Sequence, residues 1–431
     1  MSENRFWITS ICPYQEQYKA MTRDFWKIRY AESIYILSSR IFISIITLYL
    51  LRSGNVWLSS YFLFFYFMSR SVFGFFLAHK FEKSEKKQLL IQLILFFMGI
   101  SLTTIIIKSL TISPLIFIFV SIGIGFVETF FIPVVNAFIP SIVDNDFIVE
   151  AFRKTFLIQA SNNLFGIAIG MLGYQSIGFE NMMWVIVALS LVSFIILLSL
   201  DCKGQSISFE KSPADYNIKK SIAIFMRYRF EPWWALSSMI INMFLASFSS
   251  LIIPYFIVKI AGGNPISVGL IEGCAAGGAI FSSCYLQKKI ETIIGKARCV
   301  ILSFFIVGLC FFLFAFSHYI FIWSILAFFM GMAIVMNNIS VESNRSIAIP
   351  EKNRVKIQTI HNALIGFANP LGLLLTPFII THYGYMVSLI ISALVVIIIA
   401  ISVRFIPLFY ELLTSKQEDI TNLYEKRYGD L

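Results

Sequence analysis

Four ionisable side chains fall inside long apolar runs of this sequence: Arg40, Arg70, Glu128 and Glu272. A charge in hydrocarbon costs at least ~2.5–3.5 kcal/mol, so such groups persist where they pair or line a cavity. Three of them share one depth. At ~1.5 Å rise per residue, Arg40 lies about 16 Å beyond Arg29, Arg70 about 14 Å before His79, and Glu128 about 15 Å before its span ends. Two readings fit this convergence. In the first, the arginines present forked donors to carboxylate or phosphate oxygens of a substrate. Glu128 then balances one of them until substrate or a proton arrives. In the second, Glu128 and one arginine form a buried pair that holds the helices together, and the other arginine reaches the lipid headgroups. The surplus positive charge favours an anionic ligand.

Glu272 stands among Gly269, Gly273 and Gly277, a stripe at i, i+4, i+8 that admits a closely packed helix. No intramembrane cation accompanies it in the second half of the chain. That isolation suits a group that carries a proton, or a neutral carboxyl hydrogen-bonded to a neighbouring helix. Asn162, Asn337 and Asn338, with Gln159 and Asn163 nearby, are candidate ligand contacts; the alternative is that they join helices. His361 is a further candidate. Glu342 and Arg345, one turn apart, form a pair expected at a gate, and His79 and Lys80 mark a second gate position.

These residues need membrane-length elements to hold them. The chain has 431 residues, 58% of them hydrophobic and 13% charged, with a mean hydropathy of +0.80. That leaves too little polar surface for a soluble globule of this size. Apolar runs of about 20 residues predict spans over 31–51, 56–78, 88–107, 112–138, 151–173 and 181–200. A second set follows over 233–258, 265–286, 298–317, 319–342, 357–381 and 385–407. The predicted organisation is a cytoplasmic segment over 1–30, a six-helix bundle over 31–200 and a linker over 201–232. A second six-helix bundle covers 233–407, and a tail covers 408–431.

Loop charges set the orientation. With both termini cytoplasmic, 29 of the 34 Lys and Arg fall in cytoplasmic segments and only Arg52, Lys108 and Lys259 lie outside. Reporter fusions at Lys211 and Lys416 are expected to read cytoplasmic, and a fusion after Lys259 external. An external signal at Lys416 would break this topology.

Residues 1–29 lack the apolar core of a secretion signal, so the location expected is the inner membrane. The net charge of +10 belongs to loops near anionic lipid. No basic stretch interleaved with aromatics points to nucleic acid. The sequence has no phosphate-binding Gly-Lys-Ser/Thr loop, no His-Glu-x-x-His helix and no Gly-x-Ser-x-Gly elbow. The histidines at 79, 318, 361 and 382 are too scattered for a metal, and the six cysteines include no Cys-x-x-Cys pair. The expectation is a non-enzyme without cofactor or metal, whose partners are a small-molecule substrate, protons and lipid, acting as a monomer.

Several local patterns resemble the major facilitator superfamily, and within it the exporters of enterobactin-type siderophores and macrolides. They are Pro133-Val-Val-Asn-Ala-Phe-Ile-Pro140, Asn162-Asn-Leu-Phe-Gly166 through Gly170 and Gly173, Ile349-Pro350 with Arg354-Val355, and Pro370-Leu-Gly372. Where that family carries Ala-Asp-Arg after its second span, this chain has Ala78-His79-Lys80. Ser39-Arg40 replaces the acidic residue of its first span. The resemblance implies an all-α fold of twelve transmembrane helices in two six-helix bundles. It also implies secondary transport by alternating access, as proton-driven export of a small organic, anionic compound such as a siderophore or a drug. Uptake of a similar anion, and a lipid flippase or assembly factor with no small-molecule cycle, are the alternatives.

Overall fold

The computed structural model describes residues 23–53, 56–81, 86–109, 115–136, 142–143, 148–200, 218–262, 264, 266–415, 417–420 and 423–429. The long elements are helices because lipid offers no partner for a backbone N–H or C=O, and a helix satisfies both internally. Ten helices among the described residues are long and apolar enough to cross a membrane.

Contacts divide the chain into two units, residues 1–49 with 68–211, and residues 50–67 with 212–431. The first helices are α1 (Arg23–Arg52), α2 (Val56–Phe81), α3 (Lys86–Ser109), α4 (Ile116–Asn136) and α5 (Ile148–Leu198). Within the first unit α3 packs on α4 and α5. The spans expected at 151–173 and 181–200 are joined in α5 by one break at Gly178. Its φ of 82° and ψ of 175° form a conformation open to glycine.

Glycines also set the approach of α5 to α1. A Cβ at Gly166 would strike the Arg40 side chain and the Leu37 carbonyl, and one at Gly170 would strike Ser44 and the Ile41 backbone. The glycine-rich stretch noted in the sequence therefore brings α5 onto the face of α1 that carries Arg40. Tyr35 of α1 fills the adjoining core, with its ring 3.9 Å from Phe131 and 5.4 Å from Phe97.

The second unit continues with α6 (Ile218–Arg227), α7 (Phe230–Ile260), α8 (Ile266–Ile294), α9 (Lys296–Phe316), α10 (Ile320–Ala348), α11 (Glu351–Tyr383) and α12 (Tyr385–Ser402). The linker expected over 201–232 is thus helical from Ile218. Pairs α8–α10, α9–α10, α9–α12, α7–α11 and α11–α12 pack together. Two π-helical turns, Phe248–Ile252 and Phe256–Ile260, flank Pro254 in α7. Proline removes one helical hydrogen bond and its ring crowds the preceding turn, and wider turns absorb that insult. They aim Phe248 and Phe256 at fully buried Trp323, with Phe256 stacked at 3.8 Å.

The close approach of α8 to α10 is not made at Gly273 or Gly277. A Cβ at Gly273 would meet open space, whereas one at Gly278 would strike the Phe328 backbone and one at Gly331 the Ala275 backbone. The contact therefore runs between Gly278 of α8 and Gly331 of α10, one residue away from the stripe. Three short helices end the chain: α13 (Phe409–Thr414), α14 (Gln417–Ile420) and α15 (Leu423–Tyr428). The polar tail expected there is instead packed, with Leu412 and Tyr424 fully buried.

Candidate functional site

The three charges of the first unit meet. Arg40 Nη2 lies 3.2 Å from Glu128 Oε2 and Arg70 Nη1 lies 3.3 Å from the same oxygen. The Ser39 hydroxyl donates to Glu128 Oε1. Three helices, α1, α2 and α4, thus converge on one carboxylate that is buried while both arginines keep an exposed edge. Side-chain exposure is 2% for Glu128, 19% for Arg40 and 34% for Arg70. The Thr129 hydroxyl donates to the Arg70 carbonyl at 3.3 Å, tying α4 to α2 beside the triad. Both arginines share Glu128, rather than one of them standing apart.

Asn162 lies elsewhere in this unit, donating to the Ser33 hydroxyl at 2.7 Å and to its own helix at Ile158. It joins α5 to α1. One buried pair escaped the sequence reading. Arg29 Nη1 sits 2.7 Å from Glu32 Oε2 and 2.7 Å from the Thr155 hydroxyl, and Gln159 donates to Glu32 Oε1 at 2.6 Å. The signal was available as Arg-x-x-Glu at i, i+3 at the mouth of a span. His79 and Lys80 fall on the last turns of α2, and their side chains lie outside the described residues.

In the second unit Glu272 accepts a 2.6 Å hydrogen bond from Ser249, which sits in the first π turn of α7. Asn337, Asn338, Glu342 and His361 line one cavity of about 400 Å³, together with Trp234, Phe304 and Gln358. Asn337 donates to Asn338 Oδ1 at a long 3.4 Å.

Glu342 and Arg345 pair at 2.8 Å as expected, but this is the outer edge of a larger network. Arg345 is fully buried and grips Glu231, also fully buried, from Nε at 3.0 Å to both oxygens and from Nη2 at 2.8 Å. Its Nη1 reaches Gln358 at 3.0 Å. The Tyr424 hydroxyl donates to Glu231 Oε1 at 2.9 Å, and the Tyr424 ring lies 4.8 Å from that of Tyr228. Burial and the Glu231 carboxylate hold the Tyr424 hydroxyl well above the usual tyrosine pKa, so it remains a donor. Asn344 donates to the Leu412 carbonyl at 2.8 Å, fixing α13 on α10.

Long apolar helices that carry buried charge define a multi-pass integral membrane protein. Residues 235–425 match the family model described as the Major Facilitator Superfamily. Solved structures of similar fold include the nucleoside transporter NupG, 13% identical with a TM-score of 0.69, covering 92% of this chain and 100% of that one. The POT family transporter PepTSo is 12% identical with a TM-score of 0.67, over 90% and 98%. A D-xylose–proton symporter is 12% identical with a TM-score of 0.65, over 90% and 97%. No curated protein matches in sequence. The chain has the major facilitator fold.

Proposed function

We propose that the protein is a secondary active transporter, which moves a small organic molecule across the inner membrane by alternating access. The Arg40–Glu128–Arg70 triad carries this reading. Two forked cations on one carboxylate leave a net positive charge at membrane depth, which suits an anionic group on the substrate. The transport named for the proteins of similar fold supports the same class.

The triad also bears on coupling. A proton on Glu128 removes the negative charge that both arginines share, so a substrate anion binds more tightly. By reciprocity the bound anion holds the proton. Proton and anion then travel together, and an inward proton gradient drives uptake. Export, the direction that the sequence resemblance implies, requires proton and substrate to bind in turn. A proton carrier separate from the triad meets that need, and Glu272, which accepts a hydrogen bond from Ser249, is the candidate.

Vesicles reconstituted with the protein test both, with citrate as the anionic probe. Glu272→Gln should abolish movement against the citrate gradient while leaving downhill exchange intact. Unchanged uphill movement would remove Glu272 from the mechanism. Wild-type vesicles that move neither citrate nor protons under an imposed pH gradient would remove the anion-transport reading itself.

A further inference from the structure

We propose that the cavity of the second unit binds the uncharged ring of a substrate, one bearing both hydrogen-bond donors and acceptors, as a sugar or an amide-edged heterocycle does. The proposal rests on the transport reading for the ligand being cargo. At about 400 Å³ the space is large enough for one or two rings.

Its lining is amide-rich, with Asn242, Asn337, Asn338, Gln358 and Asn362 on three helices, and Trp234 and Phe304 supply flat faces. Each amide presents a donor and an acceptor, which is what hydroxyls or an amide edge require. Two buried polar atoms of lining residues, His361 Nδ1 and Asn337 Oδ1, have no hydrogen-bond partner among the described residues. Buried polar atoms are nearly always satisfied, so two orphans on residues that line one cavity mark where a ligand, with a small side-chain turn, would complete them.

Charge excludes an anion from this space. Glu342 lines it, and among the described residues no lysine or arginine does. Arg345 is committed to Glu231, Glu342 and Gln358 and has no exposed edge. A carboxylate or phosphate placed here would lose its hydration beside another carboxylate, without a counter-charge.

The test is equilibrium binding to the purified full-length chain. The neutral probes are uridine and methyl glucoside, and their charged twins are uridine 5′-monophosphate and glucuronate. At least one neutral probe is expected to bind, and which one binds separates heterocycle from sugar. Asn337→Leu and His361→Phe should each weaken it about tenfold, and His361→Gln, which restores a polar edge, should weaken it less. Glu180→Gln, a change in the first unit at a residue paired with Lys108, should change nothing. Competition of each charged twin against the bound neutral probe should weaken in wild type and recover in part in Glu342→Gln. Failure of both neutral probes to bind, or binding untouched by all the cavity variants, would overturn the proposal. Transport without neutral-ring binding would sink this inference alone, whereas ring binding without transport would sink the transport reading and leave the cavity.

Discussion

Glu231→Ala is expected to cost the second unit about 3–5 kcal/mol, the penalty for leaving one member of a buried ion pair without its partner. Arg345 would keep Glu342 and Gln358 on Nη1 but lose every acceptor on Nε and Nη2. The Tyr424 hydroxyl would lose its acceptor in the same step. Thermal unfolding of the purified protein reads the effect. Glu231→Leu combined with Arg345→Met should recover most of the loss, since a packed apolar pair of similar volume tolerates burial without any ionic cost. Tyr424→Phe should cost about 1.5–3 kcal/mol, one hydrogen bond to a charged group. A melting temperature of Glu231→Ala equal to wild type would show that the network adds nothing to stability.

The second large effect concerns the triad and separates a binding clamp from a scaffold. Glu128 keeps one arginine when the other is removed. Single Arg40→Ala or Arg70→Ala proteins should therefore stay close to wild type in stability. Their affinity for citrate should fall about 10–100-fold, the worth of one charge-assisted hydrogen bond. Arg40→Lys should be nearly as damaging, because a point ammonium does not reproduce the fork. The double Arg40→Ala, Arg70→Ala protein takes both arginines from Glu128 and should be less stable than either single variant, and adding Glu128→Gln should restore folding without restoring binding. Anion affinity should also weaken as salt screens the arginines. A stability defect already present in each single variant, with citrate binding untouched, would leave the triad as a scaffold.

The triad was legible because a helix converts sequence distance into depth, and depth alone brought Arg40, Arg70 and Glu128 to one layer. What sequence could not provide was azimuth. The stripe Gly269, Gly273, Gly277 has the right spacing for close packing, yet the contact falls on Gly278, because the face used depends on where Gly331 of α10 lies. The turn at Gly178 was legible, because Gln175, Ser176, Glu180 and Asn181 interrupt the apolar run between the spans expected at 151–173 and 181–200. Glu231 sits beside Pro232 at the end of a polar stretch and reads as a solvated acid. Its burial depends on α10 and on a tyrosine 193 residues further on. Asn162 has the composition of a ligand contact but the position of a helix joint.

The docking of Tyr424 on Glu231 gives the second unit a timetable. Synthesis proceeds at about 5–20 residues per second, so Glu231 waits roughly 10–40 s for its hydroxyl partner after it has been made. Through that interval the carboxylate is held by whatever has already arrived, first water and then Arg345. A ribosome that stalls before Tyr424, or a protease that trims α15, leaves a chain with every span in place and an incomplete buried site. Such products should be the ones that membrane quality control removes first, because their buried carboxylate lacks the Tyr424 donor.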